Sequence, residues 1–478
     1  MQPNIVIFIS DQQRTDTMAC YGNHWIQSPH MNALSERSFV FENTYVTQAV
    51  CTPSRGSLMT GLSPHSHGCV VNNIELRDET KTIAEMLPDT YRKAHFGKWH
   101  LGNDAFCQHG FDEWASVEDG RKPRYTKPNP PFSTYHQWLV EQGFEPQSTM
   151  ANGEKHFDPK QRATLPPECQ MAAFVANQSD RFIRENTDQP WLLVSSTFEP
   201  HPPFTGPYDD LYNPDDLPVG PTFNKHPEDH SLFNRVRSDH FPVAPKDGNI
   251  VVEDLSTEAG WRKQRAQYFG NVKIIDDAVG KVVKALEETG QMENTIFAFT
   301  SDHGEMAGDH RMWEKRAFYE ESARVPFLLS VPWLNTEQKR IDGVFGHADL
   351  VPTLLDLADQ PIPTELEGQS LKGALTDDLD LVEHNAFVEW NGLGDRNLGN
   401  PHINLMTTLP RRCMVSGDHW KLTLCAGDQG ELFDLNTDPH EQNNLFDDPA
   451  HRDRIREMAA HIRLWQHETG DTVPLPAV

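Results

Sequence analysis

The chain has 478 residues and a formal net charge of −28, from 42 basic and 70 acidic side chains, a balance that argues against nucleic acid or an anionic membrane surface as a partner. Hydrophobic residues make up 37%, with 11 Trp and 25 Phe, so the mean hydropathy of −0.62 reflects long polar loops around a core rather than disorder. A chain of this length exceeds what one core usually supports, which predicts a large domain over residues 1–370 and a smaller one over 371–478. No apolar run approaches membrane-spanning length, and Met1-Gln2-Pro3-Asn4 carries neither a basic leader nor a cleavage pattern. The seven cysteines are scattered, odd in number and without zinc-type spacing, which predicts a reducing, cytoplasmic setting.

Ile5 to Ile9 is a continuous β-branched and apolar run, the pattern of a strand buried on both faces of a sheet. It delivers Asp11 and Gln12 to the crevice beyond a strand end, where α/β folds place their sites, although an acid there is also a common helix cap. Cys51-Thr52-Pro53-Ser54-Arg55 reads as a helix start, with Pro53 in the first turn and Arg55 one turn beyond Cys51, so both side chains turn toward one place. Asn72 lies in a polar loop where it is as readily a turn former as a ligand contact. If Gly97 to Leu101 is extended, Lys98 and His100 share a side with Trp99 opposite.

From about Glu118 to Pro167 the chain is polar and proline-rich, including Lys127-Pro128-Asn129-Pro130-Pro131, and reads as a long insertion over a site rim. A helix is predicted over Met171 to Glu185, then a buried strand over Pro190 to Ser196 that leads into His201 on a loop stiffened by prolines. Gly206 to Asp254 reads as loop. A long helix over Thr257 to Glu288 carries an apolar stripe from Tyr268 to Leu286, and the strand Thr295 to Thr300 ends at Asp302-His303, again either a cap or a ligand pair. Beyond Leu371, short strands over Ala386–Trp390, Arg412–Ser416, His419–Leu424 and Glu431–Leu435 predict an antiparallel sheet closed by a helix over Ala450–His467.

Several stretches together resemble the sulfatase family: C-x-P-S-R followed by Leu58-Met59-Thr60-Gly61, the G-K-W-H-x-G run at Gly97, E-P-H-x-P-F at Glu199, S-D-H-G-E at Ser301, and the E-L-F-D-L run at Glu431. The resemblance spans nearly the whole chain. It implies an alkaline phosphatase-like α/β fold, a large, mostly parallel mixed sheet flanked by helices, with a smaller C-terminal antiparallel sheet and helix. It also implies that Cys51 is oxidised to formylglycine by a maturation enzyme, and that the hydrated aldehyde attacks sulfur through one hydroxyl and expels sulfate when the other loses its proton. In this reading Asp11, Gln12, Asp302 and His303 hold one divalent ion together with residue 51, calcium by preference, with manganese or magnesium as alternatives. Arg55 holds the nucleophile, Lys98 and Lys315 clamp the sulfate with Arg316 in reserve, His201 protonates the leaving alcohol, and His100 takes the proton that triggers sulfate release. Gln12 stands where many members carry Asp, a departure shared with phosphonate monoester hydrolases, in which Asn72 aligns with a substrate contact. The resemblance thus predicts hydrolysis of small-molecule or saccharide sulfate esters. Its alternatives are a phosphonate monoester or phosphodiester hydrolase and, from another class, a binding protein on a sulfatase scaffold; a homo-oligomer is left open.

Overall fold

The apolar run near the N-terminus forms the strand Asn4–Ser10, buried along its whole length. Its side chains divide by parity between two cores, as a strand sandwiched between helical layers requires. Val6 and Phe8 pack with the helices Met171–Glu185 and Glu258–Glu288, whereas Ile5, Ile7 and Ile9 pack on the other face with Leu58, Met59 and the helix Leu350–Leu357. Burying a side chain of this size contributes about 1.5–3 kcal/mol, so this strand anchors both layers. The computed structural model that gives this picture describes residues 2–119, 132–150, 153–376, 379–394 and 399–478.

The sheet has eight strands in the order Lys339–Gly346, Phe39–Tyr45, Arg324–Ser330, Thr295–Ser301, Asn4–Ser10, Trp191–Ser196, Arg92–Gly97 and Glu113–Ser116. Arg324–Ser330 runs antiparallel to both its neighbours, and the other pairings are parallel. This topology positions the site. Ser10 pairs with Ser301, and both Ile9 and Gly97 pair with Ser196, so four parallel strands end at one level. The residues that follow them, including Asp11, Lys98, Thr197 and Asp302, emerge together at the carboxyl edge of the sheet.

The C-terminal sheet is antiparallel, with strands Ala386–Trp390, Arg411–Val415, Trp420–Cys425 and Glu431–Asp434. One face, with Met414, Leu422, Leu424 and Leu432, is covered by Ile455, Met458, Ala459 and Ile462 of the helix Arg452–Thr469. Val388, Trp390, Cys413 and Val415 of the opposite face pack on Tyr45 and Val325 of the large sheet and on Val46 just beyond its strand. The expected elements here are displaced by only one or two residues at their ends.

Two stretches read as loop contain regular structure. Between Gly206 and Asp254 a helix, Leu232–His240, buries Phe233 and Arg237. Its interior contact is made by an arginine, which donates from Nη2 to the carbonyls of Trp313 at 3.2 Å and Lys315 at 2.8 Å, so an apolar stripe is weak there. The proline-rich insertion holds the helix Thr134–Glu141, a small antiparallel pair at Ser148–Thr149 and Lys155–His156, and the short helix Pro159–Ala163. The Lys127 to Pro131 run lies outside the described residues. All seven cysteines are unpaired, and among the described residues no helix is long and apolar enough to cross a membrane.

Candidate active site

Cys51 begins the helix Cys51–Thr60 and is fully buried. The Oδ1 of Asn72 accepts from the Thr52 N–H at 3.0 Å and so satisfies one of the donors that a helix start leaves open. Gly56 lets the helix press against the His67 ring, which a Cβ at that position would strike. One ligand atom from each of Asp11, Cys51, Asp302 and His303 falls within 4.8 Å of the others, and all four residues are buried. The Sγ of Cys51 lies 3.2 Å from His303 Nε2 and accepts from Lys315 Nζ at 3.2 Å.

Arg55 ties the carboxylates together. It donates from Nε to Asp302 Oδ2 at 2.8 Å, from Nη2 to Asp11 Oδ2 at 3.1 Å, and from Nη1 to the Lys98 carbonyl at 2.9 Å and Ser196 Oγ at 2.7 Å. Lys98 Nζ sits 2.6 Å from Asp11 Oδ2 and lies over the Phe198 ring at 4.8 Å. Burial alone would raise the Asp11 pKa, but Lys98, with help from His201, Arg55 and Lys315, holds the carboxyl well below its usual range. Burial and the Asp11 charge push the Cys51 thiol up against the pull of Lys315 and Lys98.

His303 is kept neutral: burial lowers its pKa to about 4, and its Nδ1–H donates to the Gly304 carbonyl at 2.9 Å, leaving the Nε2 lone pair facing the cluster. Two carboxylates and a neutral imidazole nitrogen, gathered in a buried space and braced by arginine, form a donor set that fits a divalent cation. Gln12 stands beside it in a left-handed backbone conformation, φ 71°. Its Oε1 accepts from Lys315 Nζ at 2.7 Å and its Nε2 donates to the Glu305 carboxylate. Glu305 is fixed in turn by the N–H groups of Ala307 at 2.9 Å and Glu314 at 2.6 Å. It ends the S-D-H-G-E run, but nothing in the sequence couples it to Gln12 across the fold.

The strand before Lys98 ends at Gly97, with φ 112° and no room for a Cβ against the Ser196 carbonyl. Lys98 and His100 therefore do not owe their placement to strand alternation. His100 has φ 60°, and its backbone is held by Asp104 Oδ1 at 2.6 Å from its N–H and by the Thr52 hydroxyl at 2.9 Å from its carbonyl. Its Nε2 lies 3.0 Å from Asn73 Oδ1. Asn73, which the sequence did not single out, orients this ring, while Asn72, expected as a turn former or a substrate contact, holds the Thr52 N–H and lines the cavity. His201 donates from Nδ1 to the Pro202 carbonyl at 2.9 Å, and burial together with Lys315 and Lys98 drives its pKa well below the usual histidine value. A cavity of about 650 Å³ opens over the site, with Asn72, Asn73, His201, Lys315 and Arg316 on its wall. Arg316 Nη1 is paired with Glu314 at 3.0 Å.

Residues 3–360 match the family model described as Sulfatase, and residues 308–468 match one described as N-sulphoglucosamine sulphohydrolase, C-terminal. The chain is 29% identical to an arylsulfatase of Clostridium perfringens, over 95% of this chain and 92% of that protein. It is 27% identical to the choline-sulfatase of Rhizobium meliloti, over 98% and 88%. In shape it is similar to a solved complex with the substrate D-glucosamine-2-N,6-O-disulfate, with TM-score 0.79, 21% identity and 99% of both chains covered. The phosphonate monoester hydrolase of Agrobacterium radiobacter gives TM-score 0.74 and 21% identity over 98% of this chain and 96% of that one. These two likenesses speak to the fold.

Proposed function

Because this chain belongs to the sulfatase family, we propose that it hydrolyses sulfate monoesters to an alcohol and inorganic sulfate, with residue 51 as the nucleophile once a formylglycine-generating enzyme has converted Cys51. The observation that carries the reading is the convergence on Cys51 Sγ of Lys315 Nζ and His303 Nε2, each at 3.2 Å, inside the acidic cluster of Asp11 and Asp302. A hydrated formylglycine supplies two hydroxyls on one carbon, one to attack and one to deprotonate later. A divalent cation held by Asp11, Gln12, Asp302 and His303 would supply Lewis acidity toward the nucleophile and a sulfuryl oxygen. Calcium and magnesium suit the oxygen donors; the imidazole and the amide in place of a carboxylate bring manganese into range.

The chain's own residues account for the rest. Arg55 and Lys98 pair with Asp11 and Asp302, and Lys315, held by the uncharged Gln12 and Cys51 side chains, leaves a positive charge to receive an anionic ester. Lys98 and Lys315 hold its oxygens. His201 has its Nδ1–H committed to the Pro202 carbonyl, so a proton for the leaving oxygen must ride on Nε2. The bound ester's negative charge favours that proton, opposing the two lysines that depress the free ring. Asn73 orients His100 to accept a proton in the second half of the reaction.

A second reading, phosphonate monoester or phosphodiester hydrolysis, is favoured by Gln12 standing beside the cluster with its oxygen toward Lys315. Rates on an aryl sulfate and an aryl phosphonate monoester, measured in parallel on formylglycine-bearing protein, decide between the two. Preference for the sulfate is expected; preference for the phosphonate replaces the first reading by the second. The unpaired cysteines support a reducing compartment for the enzyme.

A further inference from the structure

The cavity over the reaction centre carries charges of both signs, and most are matched within the protein. Lys315 Nζ meets Gln12 Oε1 and Cys51 Sγ, Arg316 meets Glu314 at 3.0 Å, and Glu118 Oε2 lies 3.9 Å from Lys98 Nζ. Arg162, on the same wall, is different. It projects from the short helix Pro159–Ala163, and its Nη1 donates to the Phe157 carbonyl at 3.0 Å, which fixes the guanidinium. Its Nε–H is buried without an acceptor, and among the described residues no carboxylate pairs with it. Asp158, the nearest acid in sequence, is already used at the helix start, where Oδ1 accepts from the Gln161 N–H at 2.8 Å.

In a chain with 70 acids to 42 bases, Arg162 stands out as a wall cation without an acidic partner that, unlike Lys315, is not already assigned to the reacting sulfate. Arg162 as a whole is half-buried on this wall, and a guanidinium fixed through one nitrogen presents a planar donor set suited to a carboxylate or a sulfate. We propose that Arg162 is a specificity-determining residue that receives a second anionic group carried on the alcohol portion of the substrate. This inference rests on the sulfatase reading of the same cavity. The reacting sulfate occupies the ground between Lys98, Lys315 and His201, and the second anion is bound by Arg162 through charge-assisted hydrogen bonds that persist from ground state to transition state. It therefore lowers KM more than it raises kcat.

The test is steady-state kinetics on matched esters with wild-type, Arg162→Lys and Arg162→Gln proteins bearing formylglycine. The pairs are a hexose sulfate against the hexuronate sulfated at the same carbon, the same hexose sulfate against hexose disulfates, and phenyl sulfate against 3- and 4-carboxyphenyl sulfate. In wild type, at least one doubly anionic ester is expected to exceed its singly anionic match in kcat/KM by about 10- to 100-fold, mainly through KM. Arg162→Gln should erase that preference while leaving the singly anionic ester within about threefold, and Arg162→Lys should restore part of it. The hexuronate and disulfate arms distinguish a carboxylate from a second sulfate as the natural group. A wild type without preference, or a preference that survives in Arg162→Gln, overturns the inference and leaves the sulfatase reading standing. Failure of wild type to turn over any sulfate ester overturns both.

Discussion

Replacing Arg55 by methionine keeps an unbranched stem in the core but removes the guanidinium that bridges both cluster carboxylates. The residue is 2% exposed, so water does not take its place. Asp11 keeps Lys98 at 2.6 Å, whereas Asp302 keeps the Gln12 N–H at 3.1 Å and loses its 2.8 Å cation. The other two acceptors suffer less, because Ser196 Oγ also donates to the Lys98 carbonyl at 2.8 Å. One buried carboxylate stripped of its charged partner costs about 3–5 kcal/mol, a large part of the roughly 5–15 kcal/mol that separates folded from unfolded protein. Urea unfolding in the presence of chelator should show this as a lower midpoint at unchanged m. Arg55→Lys should fall between, since an ammonium reaches one carboxylate but not both. Adding a divalent cation should raise the midpoint of Arg55→Met more than that of wild type, because the variant lacks a positive charge between the acids. A loss below about 1 kcal/mol without cation would refute the view that Arg55 holds the cluster together.

Acid sensitivity should come from buried neutral histidines. The Nδ1 of His67 accepts from the Cys69 N–H at 3.1 Å, and burial lowers its folded pKa to about 4. The unfolded chain takes up this proton near pH 6.5 and the folded chain only near pH 4, so stability is full above 6.5 and falls as pH drops between the two. At pH 5 His67 alone accounts for about 2 kcal/mol, and the drop in urea midpoint from pH 7 to pH 5 should shrink in His67→Gln; a flat wild-type profile would contradict this. Glu305→Ala releases the Gln12 amide and should weaken divalent-cation affinity about tenfold by calorimetry; unchanged affinity would mean that Glu305 does not orient Gln12. His201→Ala should slow esters of weakly acidic alcohols far more than aryl esters, whereas His100→Ala should release about one equivalent of alcohol per enzyme and then stall. A burst from the first variant and none from the second would reverse the two roles.

What the sequence made legible was whatever depends on local pattern. The Ile5 to Ile9 run predicted a doubly buried strand, and the parity of its side chains between two cores agrees. The Cys51 helix and the Asp302-His303 strand end were equally readable, because strand, turn and helix-start chemistry act over a few residues. The helix Leu232–His240 was hidden because Arg237 buries it through hydrogen bonds to the carbonyls of the Trp313–Lys315 loop. Glu305 and Asn73 were missed for a related reason. Each acts through one contact with a distant residue, Gln12 or His100, and a single long-range hydrogen bond leaves no periodicity behind. The insertion carrying Arg162 is expected over a site rim, but nothing in its polar pattern singles out Arg162 as a residue that faces the cavity.

The central claim, that an oxidised residue 51 performs the chemistry, is tested most directly by relating activity to the modification itself. Protein made with increasing amounts of the formylglycine-generating enzyme is digested, the fraction of the Cys51 peptide in which one oxygen has replaced the sulfur and two hydrogens is measured by mass spectrometry, and inorganic sulfate release is assayed on the same samples. Turnover should rise in proportion to that fraction and extrapolate to zero at unmodified Cys51, because a thiol supplies no second hydroxyl whose deprotonation expels sulfate. Full activity in protein whose Cys51 is wholly unmodified would contradict the account.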